Sequence, residues 1–191
     1  MHPYSTDTAE RRFVPLLLSV AAILTAWGFG HLLEILNIAV PWWFDAPSVM
    51  GFYAIFYNLF DNYLWRWNLL RFLRLVKTPC ISGEWHGTAV SSFNNEQQEV
   101  SLRIKQTWTS IELILTAPES QSHSLIAAFS LESPGGSMLT YQYQSDPRMG
   151  SPDSMQIHYG TTRLMIKGNL IEGDYYSGRG RQNTGTLSLQ Q

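Results

Sequence analysis

Apolar and polar positions follow two different rules along this chain. From Phe13 to Lys77 apolar residues come in long runs around one Pro-rich turn, and from Ile81 onward they alternate with polar ones. Phe13–Gly30 holds no charge over 18 residues, about 27 Å of helix at 1.5 Å per residue and close to a bilayer's hydrocarbon thickness. The pattern continues through Leu32–Val40, carrying His31 and Glu34. Val40-Pro-Trp-Trp-Phe-Asp-Ala-Pro47 then reverses the chain, since prolines end helices and paired tryptophans favour the headgroup layer. A second arm from Ser48 to about Leu70 is interrupted by Asn58, Asp61, Asn62 and Arg66. One such arm alone would suit a buried core helix; two in succession, flanked by Trp and Arg, predict a membrane hairpin. Leu70–Thr78 is a basic amphipathic exit suited to an anionic leaflet, and Thr78-Pro-Cys80 breaks the helix. The expected domains are 1–78, an N-terminal lead with a two-helix transmembrane hairpin, and 79–191. Residues 1–10 read as a polar lead-in, disordered or interfacial.

Eight strand-like runs follow the boundary, bounded by Asn, Gly, Pro and Ser turns. They are Ser82–Phe93, Gln97–Thr107, Ile111–Ala117, Ser122–Glu132, Ser137–Ser145, Ser154–Lys167, Leu170–Gly178 and Thr184–Gln190. The fold class is therefore a membrane α-helical hairpin plus an all-β domain, an antiparallel up-and-down β-barrel of about eight strands. Closure removes the sheet edges and leaves an interior that holds one small ligand. Alternation assigns Val100/Leu102/Ile104, Ile111/Leu113/Leu115, Leu125/Ala127/Phe129/Leu131, Leu139/Tyr141/Tyr143 and Met155/Ile157/Tyr159 to the core, with their polar neighbours facing solvent.

Charge fixes the expected orientation. Arg11 and Arg12 precede the first arm, Arg66, Arg71, Arg74 and Lys77 close the second, and the turn has neither Lys nor Arg. The positive-inside rule puts the N-terminus and the C-terminal domain in the cytoplasm. The first arm is too long for a cleavable signal and lacks a small-x-small site before a soluble chain. From Pro79 onward seven basic residues face ten acidic ones, which argues against DNA or RNA as partner; a small anion held by a few placed arginines fits. The single Cys80 excludes an internal disulfide, as in a reducing compartment.

Within the arms, Ala22, Ala26 and Gly30 recur every four residues, so they either pack the hairpin's own second arm or form a self-association face. Asn58 and Asp61 share a helical face. Depth counted from the turn sets Asp61 level with Trp27 and Glu34 level with Ala54, so neither carboxylate meets the other or a base within one hairpin. Asp61 then lies on a polar seam between copies or snorkels toward Arg66.

Catalysis has little support. His86, His123 and His158 lack metal-ligand spacing, and no nucleophile elbow, phosphate loop or dinucleotide fingerprint is present. Two segments stand out instead, Ser82-Gly-Glu-Trp-His-Gly87 and Gly173-Asp-Tyr-Tyr-Ser-Gly-Arg-Gly-Arg181. Trp85 reads as a plug for one barrel end, with Arg179 or Arg181 over its indole as a cation–π lid. Alternatively those arginines face a ligand, because Arg pairs bidentately with phosphate and Tyr offers a flat stacking face.

Two N-terminal spans, a basic exit and a β tract that opens SGEWHG and ends GDYYSGRGRQNTGTLSL resemble the two-transmembrane β-strand effectors associated with bacterial nucleotidyltransferases in CBASS anti-phage systems. The resemblance covers essentially the whole chain. It implies a multi-pass protein of the bacterial inner membrane whose barrel binds a cyclic dinucleotide. Binding then promotes oligomerisation of the spans and disruption of the bilayer, so that the infected cell dies (abortive infection), with no enzymatic step and no cofactor or metal. The expected ligand contacts are Tyr143, Tyr159, Thr162, Arg163, Tyr175, Arg179 and Arg181. The expected assembly residues are Ala22, Ala26, Gly30, Asn58 and Asp61. A lipocalin-like barrel carrying a hydrophobic ligand, or a structural protein-docking module, is the rival reading.

Overall fold

The computed structural model describes residues 1–38, 41, 45–92, 97–148, 151, 156–178 and 183–191, without the side chains of Asp45 and Ala46. Residues 1–7 and 78–191 form one compact unit and residues 8–77 another.

The first unit is a closed barrel. Its strands are β1 (His2–Thr6), β2 (Gly83–Ser91), β3 (Gln97–Gln106), β4 (Ser110–Thr116), β5 (Ser120–Ser130), β6 (Met138–Pro147), β7 (His158–Lys167), β8 (Leu170–Ser177) and β9 (Thr184–Gln190). Strands β2–β9 correspond to the eight predicted runs, each antiparallel to the next, and β2 pairs with β9 to complete the ring. The ninth strand corrects the reading of residues 1–10 as a lead-in. β4 and β5 pair only from Ile114 to Thr116 and then splay. β1 fills the gap, antiparallel to β4 at His2 and Pro3 and parallel to β5 at Tyr4–Thr6. The barrel is thus mixed, and the parallel contact comes from the N-terminus. Polar residues at 1–10 hid it, because only Tyr4 of this strand points into the core.

Inward side chains set the barrel's polarity. Leu102, Ile104, Leu113, Phe129, Leu139, Leu164, Ile171 and Leu189 are buried, and the predicted alternation holds for most strands. Two runs differ. A register irregularity between Ser124 and Ile126 turns Leu125 out of the core. On β7 the inward set is Gly160, Thr162, Leu164 and Ile166, so Ile157 and Tyr159 are exposed. A period of two misassigns every residue of a strand when the phase is wrong by one, and a Gly and a Thr facing inward concealed the phase.

Trp85 plugs one end, 1 % exposed. Its indole N–H donates to the Ile81 carbonyl at 3.0 Å. Buried Gln106 ties the same segment down, accepting from Ile81 N–H at 3.0 Å and donating to Pro79 O at 3.0 Å. β1 ends and β2 begins at this end, so both connections to the helical unit leave from the plugged side.

In the second unit α1 spans Glu10–Ile35 and α2 spans Asp45–Asn62. Among the described residues α1 is the helix long and apolar enough to cross a bilayer. The second arm is not one helix to Leu70. After α2 come a 3-10 turn (Leu64–Arg66) and the short α3 (Asn68–Phe72), separated by extended Trp67. The rings of Phe29 and Phe52 meet edge-on at 5.9 Å, and Val14, Ala22, Phe60 and Trp65 are buried.

Replacing Trp85 with Ala removes a fully enclosed indole from this plug. We expect a loss of about 3–5 kcal/mol in unfolding free energy, measured by denaturant titration of the full chain in detergent with circular dichroism. A loss under about 1 kcal/mol would show that the plug does not hold the barrel closed.

Candidate ligand site in the barrel lumen

The end opposite Trp85 differs in chemistry from the plugged half. Here β6, β8 and β9 bring Tyr143, Tyr175 and Gly185 to the interior, and β7 brings Gly160 and Thr162. The tyrosines fit because glycines lie beneath them. A Cβ on Gly160 would land on the Tyr143 phenol, and one on Gly185 would land on the Tyr175 ring. Each ring lies flat on bare backbone, which lets an aromatic occupy a strand face without pushing the wall outward.

Hydroxyls line the same region. Thr162, Ser122 and Ser145 are buried. Tyr141 hydrogen-bonds Thr162, and burial pushes its phenol up to about 12. Tyr143 hydrogen-bonds Ser177, and burial raises its phenol as well. Tyr141 and Tyr143 stand 6.3 Å apart at 56°, and His158 meets Tyr143 edge-on at 6.4 Å. The His158 Nδ1 lies 3.1 Å from the Gln156 carbonyl, which can only accept, so Nδ1 is the donor in this contact. The lumen is therefore apolar at the plug and rich in phenols and hydroxyls at the far end, a composition suited to flat, polar ligands.

Of the predicted contacts, Tyr143, Thr162 and Tyr175 come together here. Tyr159 and Arg163 do not: both lie on the outer face of β7, Tyr159 57 % exposed. The Arg163 Nε–H donates to the Met138 sulfur at 2.6 Å. Other outer cations are engaged similarly, Arg103 with Glu84, Lys105 with Glu112 and Lys167 with Glu172. Arg179 and Arg181 lie outside the described residues. The strand ends flanking them lie at the tyrosine end, away from Trp85, Ser177 pairing with Gly160 and Thr184 with Tyr176. Sequence reasoning missed Ser122, Ser145, Gly160, Gly185 and His158; for the two glycines, a Gly facing a Tyr across the ladder was the available signal. Among the described residues no group of three His, Cys, Asp or Glu could hold a metal.

In the helical unit Ala22 is fully buried, and a Cβ on Gly30 would meet nothing within 4 Å. Asn58 is exposed. One expectation about carboxylates is corrected: a base does lie within reach of Glu34. Glu34 pairs with His31 at 3.0 Å, one turn away.

Comparison with known proteins bears on the same two units. The family model described as "Cap15, cyclic dinucleotide receptor domain" matches residues 76–191, and "Cap15, TM helices" matches residues 13–66. The chain is 29 % identical over 178 residues to the CD-NTase-associated protein 15 of Staphylococcus schleiferi, covering 92 % of this chain and 88 % of that one. It is 29 % identical over 149 residues to the protein of that name from Yersinia aleksiciae, covering 76 % and 70 %.

The Tyr141 phenol gives a pH signature. Its folded-state value lies above the ordinary 10.0, so its contribution to stability is complete below pH 10 and is lost as pH climbs toward 12. We expect about 3 kcal/mol of alkaline destabilisation from this group, absent in Tyr141→Phe. Denaturant titrations of both proteins between pH 9 and 12 check it; parallel curves would refute it.

Proposed function

The chain belongs to the Cap15 family, and from that premise we propose that it is an anti-phage defence effector whose barrel binds a cyclic dinucleotide in the tyrosine-rich half of its lumen. The observation that carries this reading is the join between the receptor-domain match over residues 76–191 and a lumen whose far end presents Tyr143, Tyr175, Thr162 and Ser145. A cyclic dinucleotide offers two bases and two phosphodiesters. Tyr faces stack on any base, and hydroxyls serve ribose and phosphate oxygens. Arg179 and Arg181 sit in the sequence between the strand ends at that mouth and supply the cations that the lumen itself lacks among the described residues.

Chain connectivity supports the topology. β1 precedes α1 and β2 follows α3, yet both belong to one barrel. A folded barrel occupies one side of a bilayer, so the chain between Thr6 and Gly83 crosses an even number of times. With α1 crossing once, the second arm returns. The Lys and Arg flanking both arms then set the barrel and both termini in the cytoplasm of a bacterial inner membrane, where a soluble nucleotide signal reaches the lumen.

Filling the lumen promotes self-association of the hairpins, and the assembled helices disrupt the membrane, ending the infected cell before phage release. Ligand drives this only by binding the assembled form more tightly than the free one. Asn58, exposed on α2, and the Asp61 end of that helix are the polar features available for contacts between copies.

Ligand binding is tested on the full chain in detergent, because residues 79–191 alone would lack β1. Calorimetric titration with cyclic di-AMP, cyclic di-GMP, cyclic GMP–AMP and cyclic UMP–AMP should give saturable binding for at least one. Tyr175→Ala should weaken it by roughly 5- to 150-fold, the equivalent of about 1–3 kcal/mol of stacking. Heat from none of the four would refute the receptor reading. Asp61→Ala should leave that affinity unchanged and lower killing in cells expressing the signal-producing system; equal killing removes Asp61 from the output step.

A further inference from the structure

Two connections leave the plugged end of the barrel, and they are built differently. The one entering β2 is fixed in place. Thr78 and Ile81 are buried, and Gln106 clamps Pro79 and Ile81 from both sides. The other is β1, a five-residue wedge three residues from the start of α1.

That wedge occupies the weakest line of the ring. β4 and β5 share three register pairs, against six or more for every other pair of neighbours in the β2–β9 ring. β1 covers the rest of the seam through five register pairs. His2 Nε2 meets the Ser124 hydroxyl at 2.7 Å, and that oxygen also accepts the Leu113 N–H at 3.0 Å. Tyr4 packs edge-on against Phe129 at 5.2 Å. Asp7 accepts from the Leu131 and Glu132 N–H groups at 2.9–3.1 Å. Apart from β1, the β4–β5 pairs at Ile114–Thr116 are what closes the ring across this seam.

The lumen is packed, with Tyr141 3 % and Tyr143 7 % exposed. A ligand entering beside these rings needs volume, and a ring of hydrogen-bonded strands widens where fewest bonds must break. We propose that β1 is the moving coupler between barrel and membrane: ligand entry opens the β4–β5 seam, unseats β1 and frees the start of α1. This rests on the receptor reading above. By reciprocity, whatever holds β1 seated also opposes the ligand.

The test locks β1 reversibly in the full chain. Ser5 and Ala128 are register partners on the outer face, so Ser5→Cys with Ala128→Cys, in a Cys80→Ser background, places a disulfide across the β1–β5 contact. The protein is reconstituted in dye-loaded vesicles of phosphatidylethanolamine and phosphatidylglycerol. The four cyclic dinucleotides named above are added to oxidised and reduced samples, with affinity measured in parallel. The reduced protein should bind and release dye; the oxidised protein should bind at least about tenfold more weakly and release none even at saturation. Dye release independent of the disulfide, present in both samples or absent in both, overturns the coupling role while leaving the receptor reading intact if binding persists. A reduced protein that binds none of the four removes the receptor reading and the coupler together.

Discussion

The hydrogen bond from the Trp85 indole to the Ile81 carbonyl, with Gln106 beside it, decides which end of this barrel is shut. A small closed ring of strands has two mouths, and a buried indole N–H without a partner would forfeit about 1–3 kcal/mol of what its burial returns. Satisfied in place, it lets the largest side chain of the core seal the end from which both connections depart. Most of the phenols and buried hydroxyls of the lumen collect at the other mouth, which gives the barrel a direction.

Much of this architecture was legible in the sequence because it follows from periodicity. Long apolar runs and alternating ones obey different geometries, and eight alternating runs delimit eight strands to within a few residues. Features set by single contacts were not legible. Nothing in MHPYST marks a strand, because β1 depends on a gap between β4 and β5 that forms only in the folded ring. Ser124 and Leu125 look like ordinary alternation until the bulge rotates one of them outward. The phase of β7 was hidden for a related reason: Gly160 faces inward to make room for Tyr143, a choice dictated by a residue of the neighbouring strand.

The site shows the same division. Tyr143, Thr162 and Tyr175 were recognisable by residue type and meet in the lumen. Tyr159 and Arg163 carry suitable chemistry on the wrong face, where Arg163 covers Met138 instead. In the hairpin, a count of depth along two ideal helices set Glu34 apart from every base, whereas His31, one turn back on the same helix, meets it at 3.0 Å.

The position of β1 has a consequence for biogenesis. Residues 2–6 pair with segments at Ser110–Ile111 and Ala127–Phe129, which are synthesised only after both hydrophobic arms. Loop closure across that distance delays such contacts and slows folding. β1 must therefore wait, uncommitted, until the ring forms, and it becomes the keystone set last.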